Sequence, residues 1–490
     1  MRITTPRLLD STFRAAISVP CLWVAGIAVA QPLAEPGTSV TRYDSSKLVR
    51  VEIDSMRDLR MMEHISDDMW SHGVRNNSAE YLVTPEGFAL LQESGLPFQV
   101  LIQNVQELVD SENARLSTQA SLPEATAPSF YADYKTAAQI WYRLESLAAA
   151  HPETVNMWTF GQSIEGRDMR AISISRPAKA GSPCKPVMFV NGLQHAREWI
   201  NVMSTVYYIE QIMTNPSNDP RIDALLDRMD FVFVPISNPD GFEYTWTTER
   251  FWRKNRRDNK DGTFGVDLNR NWNYQWGVSL PHGSAGNNNT NSAVYWGPAP
   301  FSEPESTAIA NLLLQYPNVR AALDVHSYGQ LLLHPWGYTP DGSPDDSAFN
   351  AIGLAMKADI AALYGKNYNH GRSYTAIYPT SGASIDWYYA IGGAWAFTFE
   401  LRGPSFAPPP NQILPCAEET FLAMLRFAEM TADEFQFIAD WDHDCQHTVF
   451  DFIDFNTDFV AGELRCDLNN DGTLNVLDYI EFNSLYAQRR

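Results

Sequence analysis

The segment LQHARE at 193–198 sets His195 and Glu198 three residues apart, directly after the apolar run PVMFVNG. On a turn leading into a helix, that spacing lets both side chains face one point. A neutral imidazole and a carboxylate suit zinc, and a catalytic zinc takes three protein ligands with one position left for water. H-x-x-E is a frequent chance spacing, so a third donor from a distant segment is required. His326 offers it, at the end of the apolar run AALDV. Glu400 lies in WAFTFELR, a strand-like run apolar on both faces, where an unpaired carboxylate is costly. It has two readings: the base that takes a proton from a metal-acidified water, or a buried partner of Arg402.

Such residues need elements that end at a common edge. From about 130 to 429, apolar strand-like runs alternate with helical ones, as in PVMFVNG, WINVMSTVYYIEQIM and FVFVPISNPDG. The pattern predicts an α/β domain with a mixed central sheet flanked by helices. Sheets of this kind present ligands at the carboxyl ends of their strands, which is where His195, His326 and Glu400 fall. Ahead of it, 43–115 alternates strand-like KLVRVEI, AEYLV and PFQVLIQNV with helical MRDLRMMEHISDDMW, PEGFALLQESG and a charged helix, predicting a small α+β unit. The stretch 116–129 is rich in Ser, Thr, Ala and Pro without apolar periodicity, so it reads as an exposed connector open to proteases.

Composition narrows the class of partner. With 36 Lys and Arg against 58 Asp and Glu, the net charge of -22 repels nucleic acid and anionic membranes. Arg2, Arg7 and Arg14 precede an apolar run from Ala15 to Val29 that ends in small residues, so 1–30 reads as a signal peptide cleaved after Ala30, with an extracellular or cell-surface destination. Cys21 would leave with it. Cys184, Cys416, Cys445 and Cys466 remain, an even number that permits two disulfides in an exported chain.

Eight ordered segments resemble the funnel-type zinc carboxypeptidases of the pancreatic A and B family: SIEGRDM at 163–169, QHAREW at 194–199, NPDGFEYTW at 238–246, FWRKNRR at 251–257, GVDLNRNW at 265–272, HSYGQLLLHPWGY at 326–338, TAIYPTSGASIDW at 375–387 and FTFELR at 397–402. The resemblance spans roughly 43–429. It implies one catalytic zinc on His195, Glu198 and His326, with Glu400 as general base. It implies further that Arg253 stabilises the oxyanion, that Asn269 and Arg270 bind the terminal carboxylate of the substrate, and that Tyr378 closes over the bound C-terminus. Arg197 would contact the residue upstream. Asp267 would accept the ring N–H of His195 and fix the tautomer that binds metal.

Specificity in the family follows the floor of the pocket for the last side chain. The position that is acidic in relatives specific for basic residues falls on Ile385, and an apolar floor cannot pair a cation. Leu333, Gly337, Ile377 and Thr398 match further wall positions, with Gly337 leaving room for bulk, while Thr380 and Ser373 are slightly polar substitutions nearby. The implied preference is for aromatic and large aliphatic C-terminal residues.

The unit at 43–115 resembles the family's prodomain, which implies an intramolecular inhibitor released when an activating protease cuts the connector, with Arg115 one candidate site. In the tail, 433–490, Asp467, Asn469, Asp471, Asn475 and Asp478 take calcium-loop positions with Gly472 at position 6. Asp440, Asp442, Asp444 and Asp451 repeat the spacing 27 residues upstream, with Cys445 where glycine belongs. The tail looks like bacterial dockerin modules, which implies calcium and a surface or cohesin-like partner; Cys445 with Cys466 is one expected bridge. Two other functions fit parts of this pattern: a non-catalytic surface-binding protein on the same scaffold, and a hydrolase of cell-wall peptides.

Overall fold

The computed structural model describes residues 40–487 apart from 72, 75–76, 121–128, 177–183, 281–284, 436–438, 443, 446–447 and 470. The expected signal peptide and most of the expected connector lie outside the described residues. The N-terminal unit comprises β1 (Lys47–Glu52), α1 (Met56–Ile65), β2 (Asp68–Met69), β3 (Ser78–Val83), α2 (Pro85–Ser94), β4 (Phe98–Ile102) and α3 (Val105–Ala120). Its strands form an antiparallel sheet in the order β2-β3-β1-β4. Helix α1 stops short of Trp70, to which the periodicity carried it, because Ser66 turns to extended backbone with its hydroxyl on the Met62 carbonyl at 2.6 Å and the next amide, Asp67 N, bonds to Leu82 O of the sheet at 3.0 Å. Asp68 and Met69 become an edge strand instead. Trp70 is then fully buried against Phe251 and Phe406, at ring distances of 4.5 and 5.4 Å.

Helix α3 runs through Leu116 to Ala120, into the stretch whose polar composition reads as connector. The reason is tertiary: Leu116 is buried in the main hydrophobic core. Arg115 lies inside the helix with its Nε on Asp133 at 2.6 Å, so a protease cutting there must first unwind the last turn.

The large domain is built on β5 (Val155–Gln162), β6 (Asp168–Ile174), β7 (Val187–Gly192), β8 (Asp230–Val234), β9 (Val319–Ser327), β10 (Leu331–His334), β11 (Asn369–Arg372) and β12 (Trp395–Leu401). They form one mixed sheet in the order β11-β10-β12-β9-β7-β8-β6-β5. Every residue of β7, β9 and β12 is buried, as strands covered on both faces require. Its helices are α4 (Ala137–Ala150), α5 (Trp199–Thr214), α6 (Pro220–Leu226), α7 (Pro239–Thr247), α8 (Pro304–Leu314), α9 (Asp346–Tyr364), α10 (Ser373–Ala376), α11 (Ser384–Ala390) and α12 (Ile413–Glu434). Met188 and Val190 of β7 point into a core with Val206 of α5, Phe349 of α9 and Phe427 of α12. Val187 and Phe189 point the other way, to Ile309 of α8 and Trp387 of α11. Strands β7, β9 and β12 are mutually parallel neighbours, so their carboxyl ends share one edge.

The tail adds α13 (Val449–Ala461) and α14 (Val476–Ala487). Phe455 and Phe482, separated by the same 27 residues as the two loops, stack at 3.8 Å and 5° in its small core. The disulfide joins Cys445 to Cys184 rather than to Cys466. Cys466 is free and buried in the tail core beside those rings, and Cys416 is free and buried in the large domain. Among the described residues, no helix is long and apolar enough to cross a membrane.

Candidate active site

Just beyond β7 the chain turns at Leu193, whose φ is +60°, and Ala196 donates its amide to the Arg253 carbonyl at 3.0 Å. This brings His195 and Glu198, at the head of α5, to the carboxyl end of β9, where His326 stands. His195 Nδ1 lies 2.8 Å from Glu198 Oε1 and 3.0 Å from His326 Nδ1, which is itself 3.2 Å from Glu198 Oε2. All three residues are buried. The far nitrogens are engaged: His195 Nε2 with Asp267 at 3.0 Å and His326 Nε2 with Asp324 at 2.8 Å. An ionised carboxylate only accepts, so each Nε2 carries its hydrogen, and two Nδ1 lone pairs then converge with a carboxylate on one point. That donor set fits a zinc ion.

The electrostatics agree. Burial opposes charge at His326, yet Asp324 and Glu198 hold its imidazole well above its usual range, the same field that favours a cation there. Against the cost of burial, His195 and His326 hold the Glu198 carboxyl well below the usual carboxylate range. Glu400 faces this cluster from β12, opposite His326 in the parallel pairing. Burial raises its carboxyl, with His326 pulling the other way. Arg402, the alternative partner of Glu400, is paired instead with Glu419 at 3.0 Å. Arg253 is buried, with its Nη2 on Asp267 at 2.9 Å and its Nη1 3.9 Å from Glu198. Asp267 thus orients a histidine and an arginine at once.

Asn269 and Arg270 follow Asp267 in a short turn of 3-10 helix. Asn269 Oδ1 accepts from Ser384 N at 2.9 Å and Ser384 Oγ at 3.0 Å, which leaves its NH2 3.2 Å from His326 Nε2, a contact and not a hydrogen bond, since the Nε2 hydrogen goes to Asp324. Arg270 Nη2 donates to the Tyr378 hydroxyl at 3.1 Å. Ile385, Leu333, Ile377 and Thr398 are each buried, and Leu333 pairs with Thr398 across β10 and β12; Leu333 and Ile377 pack with Tyr378, while Ile385 packs in the core around Trp387. The space above Gly337 is not open as the sequence suggests, because Thr380 Oγ1 occupies it.

The zinc carboxypeptidase family model matches residues 141–423, a range that contains the whole constellation. The chain belongs to the zinc carboxypeptidase family. Carboxypeptidase A1 of Rattus norvegicus is 32% identical over 78% of this chain and 91% of the relative. Zinc carboxypeptidase A 1 of Anopheles gambiae is 34% identical, over 83% and 94%. The crystal structure of thrombin activatable fibrinolysis inhibitor superposes with a TM-score of 0.73 at 25% identity, over 80% of this chain and all of that one. Carboxypeptidase A from Helicoverpa armigera gives 0.70 at 26% identity, over 80% and 98%. The enzyme's fold and its family therefore agree.

In this carboxypeptidase the N-terminal unit lies against the site. Asp68 of β2 pairs with Arg197, whose guanidinium also stacks on Phe406 at 4.0 Å. Glu80 of β3 accepts from the Tyr328 hydroxyl, and a Cβ on Gly73 would come within 2.7 Å of the Tyr378 ring. Sequence reasoning missed Asp68 and Glu80, which carry no motif. It also missed Asp324, although a charged residue inside AALDVHS offered the same signal that singled out Glu400.

Proposed function

We propose that the enzyme hydrolyses the last peptide bond of peptides or proteins, preferring aromatic and large aliphatic C-terminal residues. The observation that carries this reading is the placement of Asn269, whose amide touches both the His326 ring and Ser384, the neighbour of Ile385. A terminal carboxylate held by Asn269 and Arg270 would put its side chain over an apolar floor and its scissile bond beside the ligand cluster. Zinc on His195, Glu198 and His326 would polarise the scissile carbonyl and acidify a water. Glu400 accepts the proton of the attacking water and passes it to the departing amine. Arg253 donates to the carbonyl oxygen as it gains charge, Tyr378 shields the bound C-terminus, and Arg197 holds the upstream residue. The test is release of C-terminal Phe, Leu, Lys and Glu from short peptides with and without a chelator. Activity that survives metal removal, or release of Lys alone, refutes the reading.

The N-terminal unit acts in this proposal as an inhibitor in the same chain, because Asp68 occupies Arg197 and Gly73 crowds Tyr378. Cutting in the connector would free the funnel. The leader at 1–30 would send the precursor out of the cell, in keeping with a disulfide between Cys184 and Cys445.

The tail reading is calcium in the loop of Asp467, Asn469, Asp471, Asn475 and Asp478, with attachment to a surface or cohesin-like partner. It is supported by backbone: Gly472 at φ +79° and Cys445 at φ +68° take the same left-handed turn in the two loops. Calorimetric titration with calcium tests it, and the absence of binding heat in the millimolar range rejects it.

A further inference from the structure

The surroundings of Gly337, one of the wall positions matched by the sequence, are not apolar throughout. A Cβ built on Gly337 would come within 2.1 Å of Thr380 Oγ1 and 3.4 Å of both Ser373 Oγ and Asp386 Oδ2. Three oxygens thus converge over the bare Cα of this glycine. Thr380 is 5% exposed, and its Oγ1 is fully buried with no hydrogen-bond partner among the described residues. Its position is held by the backbone, since Thr380 N donates to the Gly337 carbonyl at 2.7 Å. Asp386 is held as well, accepting from the amides of Gly337 at 2.9 and 3.1 Å and of Tyr338 at 3.2 Å. A buried hydroxyl without a partner is a standing penalty, and buried polar groups in folded proteins nearly always have one. A hydroxyl can donate and accept, so its missing partner can be of either kind.

We infer that Thr380, with Ser373 and Asp386 beside it, forms a polar notch in the wall of the specificity pocket and selects a C-terminal side chain with a hydrogen-bonding tip on an apolar body, tyrosine ahead of phenylalanine. The inference rests on the preference for aromatic C-termini proposed above and sharpens it. Leu333, Ile377 and Ile385 take the ring, and Thr380 Oγ1 meets the phenol oxygen. Phenylalanine fills the same space but leaves the Thr380 hydroxyl dry. A site that hydrogen-bonds a substrate hydroxyl disfavours the analogue without it, because the buried group is then left unpaired.

The experiment uses the full zinc-loaded chain, cut in the connector by limited proteolysis with a protease of broad specificity, and compares kcat/KM for release of C-terminal Tyr, Phe, Leu and Lys from matched peptides. Tyr should exceed Phe by about tenfold, and Thr380→Val should bring the ratio to about one, chiefly through loss on Tyr. Competitive inhibition of the unmutated enzyme by 3-(4-hydroxyphenyl)propanoate and 3-phenylpropanoate gives a second reading that does not depend on how the variant folds. The hydroxylated acid should bind more tightly by a similar factor. Equal release of Tyr and Phe, equal inhibition by the two acids, or a ratio unmoved in Thr380→Val overturns the notch and leaves the aromatic preference standing. Release confined to Lys overturns both.

Discussion

Glu400 and His326 stand opposite each other in the parallel pair β9–β12, so one strand pairing fixes a carboxylate beside a ligand of the metal cluster. Because that placement is made by backbone, changing the Glu400 side chain should leave the cluster in place. Glu400→Gln is expected to lower kcat/KM for C-terminal Phe by roughly 10²–10⁴-fold while zinc content by elemental analysis stays at the unmutated level. A variant that loses zinc in step with activity would show that Glu400 serves the metal rather than the proton.

Asp324 accepts from His326 Nε2 at 2.8 Å and from Gln194 Nε2 at 2.7 Å. Asp324→Asn should weaken zinc binding by about 10–100-fold, the usual cost of losing a carboxylate behind a ligating histidine. Competition with a chromophoric chelator measures it. Unchanged affinity would reduce Asp324 to a structural residue of β9.

Asp68 and Glu80 reach from the N-terminal unit to Arg197 and Tyr328. In the uncut chain, replacing both by Ala should raise residual peptidase activity about tenfold or more, since the contacts of an unpaired Arg197 pass to substrate. Limited proteolysis followed by the same assay sets the ceiling. An uncut chain already at that ceiling would mean that the unit does not inhibit.

Burial raises the Asp386 carboxyl to about 7 against its usual 3.8, although the Gly337 and Tyr338 amides pull it down. The folded value lies above the unfolded one, so this contribution to stability is fully present below about pH 4 and is lost as pH rises through about 7. Asp386→Asn removes the loss. Its stability relative to the unmutated enzyme should therefore improve between those limits, by a few kcal/mol at most, at about 1.4 kcal/mol for each tenfold change in acidity between the folded and unfolded chain. Urea unfolding of both proteins at four pH values across this range checks it, and a constant difference between them would contradict it.

The fully buried runs of β7, β9 and β12 and the H-x-x-E spacing of His195 and Glu198 were legible in the sequence because burial and local turns are written in residue type, whereas Arg253, Asn269, Arg270, Tyr378 and Ile385 were singled out only by the resemblance of their flanking motifs to the family. The end of α1 and the continuation of α3 were not, since Ser66 and Leu116 act through a hydrogen bond and a core contact that periodicity does not register. Cysteine parity allowed two bridges but not the choice of Cys184 for Cys445, which depends on where the tail meets the large domain. Thr380 read as a slightly polar substitution near the wall positions. Only tertiary structure brought its hydroxyl over Gly337 and left it unpartnered among the described residues, because the convergence of segments 333–337 and 377–386 is set by sheet order, and sheet order has no local signature.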